Sequence, residues 1–106
     1  MIRIFACVAA LTLAAPALAN NTFGGLFDAR EGATYYDIKL VRTLGPGFVE
    51  LRDSRGRLLG RESVRAGTNT RVRIDLGADR VPPVVAYAVL IVDGEIVDRD
   101  RVRVFR

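Results

Sequence analysis

Residues 84–92 read Val84-Val85-Ala86-Tyr87-Ala88-Val89-Leu90-Ile91-Val92, nine apolar residues framed by Pro82-Pro83 before and Asp93-Gly94 after. The run is too short for a membrane helix, which needs about 20 apolar residues. Its valines, isoleucine and tyrosine favour extended backbone. Because both sides of the run are apolar, it reads as the most buried strand of a small all-β domain. Asp93-Gly94 then supplies a two-residue hairpin turn of type I′, since that turn needs positive φ at both central residues and Asp-Gly tolerates it. The return strand, Glu95 to Phe105, places Val102 and Val104 on one face and Arg99, Arg101 and Arg103 on the other. Ile96 and Val97 break that alternation, which predicts a β-bulge around Asp98 to Asp100.

Upstream of the hairpin the same grammar recurs. Thr70 to Leu76 alternates strictly, with Val72, Ile74 and Leu76 inward and Arg71, Arg73 and Asp75 outward. Gly77 to Pro83 is long enough to cross from one sheet to another. Asp53-Ser54-Arg55-Gly56 has the chemistry of a type I turn and joins a strand at Phe48 to Arg52 to one at Arg57 to Ser63. Ala33 to Thr43 also has period two, with Tyr36, Ile38 and Leu40 on one face, Tyr35, Asp37 and Lys39 on the other, and Val41 as an exception. Gly45-Pro46-Gly47 ends it. Six or seven short antiparallel strands with turns between them predict an all-β fold, a small immunoglobulin-like β-sandwich over residues 33–106, with a small closed barrel as the alternative.

The first nineteen residues stand apart. Arg3 is a positive start, Ile4 to Leu13 an apolar stretch, and Pro16-Ala17-Leu18-Ala19 a small-residue cleavage site, so residues 1–19 read as a signal peptide. Cleavage there leaves 106 less 19, or 87, residues, enough for one domain, bound for the periplasm or secreted, with no transmembrane segment after signal cleavage. The only cysteine, Cys7, falls inside the removed segment, which excludes both a lipoprotein anchor and disulfides. Residues 20–32 read as a flexible N-terminal segment or first turn. Phe23 and Phe27 raise the alternative of a docking peptide.

Composition closes off much chemistry. The chain has no histidine, and without histidine or cysteine a thiol nucleophile, a serine-histidine-aspartate relay and the usual zinc sites are excluded. No phosphate-binding or dinucleotide glycine pattern occurs. Glu50, Glu62, Asp75 and Asp93 offer carboxylates for a glycosidase pair, but the domain is too small to enclose a cleft, and neither an enzyme nor a cofactor is expected. Asp93, Glu95, Asp98 and Asp100 offer oxygen ligands for calcium. Arg99 and Arg101 among them make a solvated turn the simpler reading.

The arginine ladders carry more. Net charge is +4 for the full chain, and without Arg3 it stands at 15 basic residues to 12 acidic. Arg71 and Arg73 on one strand, and Arg99, Arg101 and Arg103 on another, form outward stripes. Structurally, such charges discourage edge pairing. Functionally, they make a basic face for an acidic protein, a polysaccharide or an anionic membrane surface, with Tyr35 or Phe48 beside them as aromatic contacts.

Gly47 to Leu76, GFVELRDSRGRLLGRESVRAGTNTRVRIDL, followed by VAYAVLIVDGEIV at Val85 to Val97, resembles an uncharacterised secreted β-domain family of archaeal and bacterial exported proteins. Asp53, Leu59-Gly60, Ala66-Gly67, Asn69 and Val72 fill the places of its acidic turn, leucine-glycine pair, alanine-glycine loop and valine-rich strand. The family often carries a histidine and further acidic residues in an insertion after the late strand, and this chain has none. The resemblance implies export and a β fold and brings no activity. The expected function is an exported, non-enzymatic binding or adaptor module. It would engage an envelope protein, an extracellular polymer or a second copy of itself, and not nucleic acid, through a sheet face or edge strand. The alternative is a structural or assembly component, or a holdase-like inhibitor of aggregation in the periplasm.

Overall fold

A computed structural model describes residues 21–106; the signal-peptide reading of residues 1–19 lies outside them. The described chain is all-β. Its strands are β1 (Thr22–Leu26), β2 (Ala29–Arg30), β3 (Tyr35–Thr43), β4 (Gly47–Asp53), β5 (Leu58–Val64), β6 (Gly67–Asp75), β7 (Val85–Val92) and β8 (Glu95–Phe105). They form a three-stranded sheet in the order β1-β3-β6 and a five-stranded sheet in the order β2-β8-β7-β4-β5. The first is antiparallel. The second is mixed, because β2 runs parallel to β8, and it curls into a half-barrel.

The six longer strands fall where the period-two reading puts them, except that β6 begins at Gly67, in the stretch from Ala66 to Asn69 whose turn residues predict a loop, because Gly67 to Asn69 pair with Thr43 to Val41 of β3. The count differs because residues 20–32, read as a flexible lead or first turn, supply two more. Phe23 inserts into the core at 8 % exposure and draws β1 against β3, while Ala29, 2 % exposed, seats β2 beside Val104. A two-residue parallel pairing leaves almost no sequence signature.

Val49 and Leu51 of β4, Ala86, Ala88, Leu90 and Val92 of β7, and Val102 of β8 meet Tyr36, Ile38, Val41, Val72 and Ile74 from the other sheet in one core. The sheets approach closely at Gly60, where a Cβ would stand 2.6 Å from the Asp75 carbonyl oxygen and 2.8 Å from Ile74 Cγ2. The chain changes sheet at β1–β2, β2–β3, β3–β4, β5–β6 and β6–β7, so Gly77 to Pro83 does cross from one sheet to the other. At the β5–β6 corner Asn69 clasps Arg65: its Nδ2 donates to the Arg65 carbonyl at 2.8 Å and its Oδ1 accepts the Arg65 N–H at 3.1 Å.

Three local readings are refined. Asp93 and Gly94 have φ of 54° and 77°, as a type I′ turn requires. The bulge in β8 falls at Val97, just before the expected stretch, because Ile91 pairs with Ile96 while Leu90 pairs with Asp98. In β3 the buried residues change phase between Ile38 and Val41. The distortion continues into β6, where Arg71, facing Lys39, adopts a φ of 52°, and into β1, where the register shifts around Gly24 under the Leu40 side chain. The exception noted at Val41 is thus a crease across the whole three-stranded sheet.

The apolar run is fully buried on its inner face and only partly on its outer one. Val84 is 74 % exposed and lies outside the strand. On the outer face Tyr87 and Ile91 are half-buried, whereas Val89, between Glu50 and Arg99, is 1 % exposed though it stands outside the core cluster. Long arginine stems over a sheet face cover apolar surface while their charged heads stay in water.

Candidate functional site

Strand alternation places Phe48, Glu50 and Arg52 of β4 on the outer face of the five-stranded sheet. Arg61 of β5 lies opposite Glu50, Tyr87, Val89 and Ile91 of β7 lie on the other flank, and Arg99 and Arg101 of β8 lie beyond. Arg103 continues the row opposite Val85. Five guanidinium groups therefore share a face with one carboxylate.

That carboxylate is fully engaged. Arg52 Nε and Nη2 donate to Glu50 Oε1 at 2.8 and 2.6 Å, and Arg61 Nε and Nη2 donate to Oε2 at 3.1 and 2.8 Å. The Glu50 side chain is 3 % exposed, against 29 % for Arg52 and 49 % for Arg61. Burial alone would raise its pKa; the charge-assisted hydrogen bonds from Arg61 and Arg52 outweigh that and hold the carboxyl below the usual glutamate range. Glu50 is therefore a strut that fixes two guanidinium planes. Two aromatic rings fix others: the Arg61 guanidinium lies 4.4 Å from the Phe48 ring centre and that of Arg99 lies 4.4 Å from the Tyr87 ring centre. Between these stacks run shallow depressions, one lined by Phe48, Arg61 and Ile91, the other by Arg52, Tyr87, Ile96 and Arg99. Ile96 is 55 % exposed.

The residues singled out from sequence divide between two faces. Arg99, Arg101, Arg103 and Phe48 share the face just described. Tyr35, Arg71 and Arg73 belong to the three-stranded sheet, on the other side of the core. There Arg73 Nε and Nη2 donate to Asp37 Oδ1 and Oδ2 at 2.9 and 3.1 Å, and its guanidinium lies 4.0 Å from the Tyr35 ring centre. Asp37 neutralises that charge, and its hydrogen bonds raise the Arg73 pKa further above its ordinary value.

The acidic group does not converge. Asp93 and Glu95 sit at the hairpin end, whereas Asp98 and Asp100 are paired with Leu90 and Ala88 on the inner side of β8. Asp98 Oδ2 accepts the Phe23 N–H at 3.0 Å and the Thr22 hydroxyl at 3.2 Å, and its Oδ1 accepts the Arg99 N–H at 2.8 Å. Burial raises the Asp100 carboxyl above its ordinary range, with the Asp98 charge adding to the effect. Among the described residues no three such side chains gather in the way a metal ion needs.

Sequence reasoning missed Arg52, Arg61 and Tyr87 and took Glu50 only as a candidate catalytic acid. The signal for the first was present, since Phe48, Glu50 and Arg52 alternate. Arg61 and Tyr87 depend on which strands lie beside β4, and that pairing is a long-range fact. Comparison with known protein families, with curated proteins and with solved structures finds no match to this chain.

Proposed function

We propose that the chain is an exported binding module which holds an acidic envelope protein against the outer face of the five-stranded sheet. The observation that carries this reading is the one-sided charge: Arg52, Arg61, Arg99, Arg101 and Arg103 against Glu50 alone, whose two oxygens are both taken. Charged heads pre-ordered on aromatic rings and a carboxylate strut lose little freedom when a partner arrives, which favours binding. Arginine and aromatic side chains are also the residues that most often dominate protein interfaces. We further infer an immunoglobulin-like variant of the two-sheet fold and kinship with the exported β-domain family that its turn chemistry resembles. Repeated crossings between the sheets support the first, and the leader-like residues 1–19 support export.

Binding of soluble polyglutamate, followed by fluorescence anisotropy against salt, tests the reading. Replacing Arg99, Arg101 and Arg103 together by Ser is expected to leave the fold intact and weaken binding by about tenfold or more. Unchanged affinity in the triple variant would remove the basic-face function, and tighter capture of polygalacturonate than of polyglutamate would redirect it to a polysaccharide.

A further inference from the structure

The geometry points to the mode of capture: we propose that the outer edge of β8 accepts an added strand from an acidic, extended segment of another polypeptide, its carboxylates at alternate positions facing Arg99, Arg101 and Arg103. This rests on the acid-binding reading above and goes beyond it by naming the backbone that does the binding.

β8 is the longest strand, yet only one of its edges is paired along its length. β7 covers the inner edge from Glu95 to Arg103, whereas on the other edge β2 reaches only Val104 and Phe105. The Glu31 N–H donates to the Phe105 carbonyl at 2.7 Å, so the peptide groups of Phe105 face the β2 side. Backbone direction alternates along a strand. Arg103, Arg101 and Arg99 therefore turn their N–H and C=O groups to the same open edge. At Arg99 the N–H has no strand carbonyl and is taken by the Asp98 carboxylate, whose other oxygen holds Thr22 and Phe23 of β1, so the backbone edge left free for an added strand is that of Arg101 and Arg103.

The same three residues send their side chains to the outer face, and none of the three makes an ion pair among the described residues. Edge hydrogen-bonding groups and free positive charges thus coincide at Arg101 and Arg103. Side chains on one face of a strand recur about every 6.8 Å, so an added strand with a carboxylate at every second residue meets the row in step, each pair at cross-strand distance. A second copy of β8 would place arginine against arginine and is repelled. The charge that guards this edge against self-pairing is what selects an acidic strand. Ile96, exposed at the far end beside Ile91, offers an apolar contact to a residue following the acidic run.

Strand addition and face binding differ at the backbone, and amide hydrogen exchange on the full chain separates them. The probes are a short synthetic peptide alternating Glu with Thr, a peptide of the same composition with its Glu in one block, and polygalacturonate. The expected result is preference for the alternating peptide by about tenfold, with exchange at the Arg101 and Arg103 amides slowed by a similar factor. Arg101→Pro, which removes an edge N–H at a position where proline is tolerated, abolishes that preference, while Arg101→Ser only weakens binding. Equal binding of both peptides with the two amides unprotected overturns strand addition and leaves the acid-binding face standing. Failure of every polyanion to bind overturns both, and binding of polygalacturonate alone overturns the polypeptide partner.

Discussion

Glu50 shows how much one side chain can organise. It is nearly buried, yet it stays charged because two guanidinium groups replace the water it has lost. Glu50→Gln keeps the volume and removes the charge, leaving Arg52 and Arg61 facing a neutral amide. Its expected cost is about 1 to 3 kcal/mol in chemical denaturation, and a loss below about 0.5 kcal/mol would mean that the strut is dispensable. Val89 makes a second case. It is 1 % exposed without belonging to the core, so Val89→Ala opens a gap beneath the arginine row. The expected loss is about 1 to 3 kcal/mol, together with weaker acid binding; Leu90→Ala, which opens the core instead, should cost about 2 to 5 kcal/mol and leave binding unchanged. If both variants bind alike, the covering role of the arginines fails. At this scale the sequence was legible wherever alternation decides. Val72, Ile74 and Leu76 are buried as the period requires, but nothing local could show that Val89 would be sealed by residues from β4 and β8.

The β7–β8 hairpin is the element in which local and global preferences agree. Asp93 and Gly94 both hold positive φ, a conformation that costs an ordinary residue about 1 to 2 kcal/mol and a β-branched one more. Gly94→Val is therefore expected to lower the thermal midpoint by several degrees, since about 1 kcal/mol moves a domain of this size by roughly 4 to 8 °C; an unchanged midpoint would refute the turn assignment. The bulge at Val97 was foreshadowed by the adjacent apolar pair Ile96-Val97, but its register was not, because the extra residue is placed by the partner strand. β1 and β2 were the least legible elements. Thr22–Leu26 holds two glycines and little alternation, and it becomes a strand because Phe23 finds a core site and Asp98 accepts the Phe23 N–H. Such a contact spans the length of the domain, and no local window contains it.

For the molecule as a whole, the absence of histidine fixes the form of its pH response. With no histidine, no side chain has its ordinary pKa between about pH 5 and 8, and stability across that range should be nearly flat. Acidification brings in the carboxylates. The Glu50 carboxyl is held below its ordinary value, Arg61 and Arg52 outweighing the opposing effect of burial. Its contribution is therefore fully present above the unfolded-state value of about 4.3 and is lost as pH falls through the lower folded-state value. Asp100 acts in the opposite sense: burial, with Asp98 adding to it, raises its folded-state value, so protonation relieves that site as the pH drops. Denaturation midpoints measured from pH 7 down to pH 3 should thus hold, then decline, with Glu50→Gln flattening the decline and Asp100→Asn steepening it. A wild-type curve that already bends near pH 6, or a Glu50→Gln curve that keeps the full acid decline, would contradict this assignment. The charges that stabilise the sheet are then separable from those left free along β8, where Arg99, Arg101 and Arg103 have no carboxylate of their own to lose, and the salt and sequence dependence of acid binding should survive down to the pH at which the partner's own carboxylates protonate.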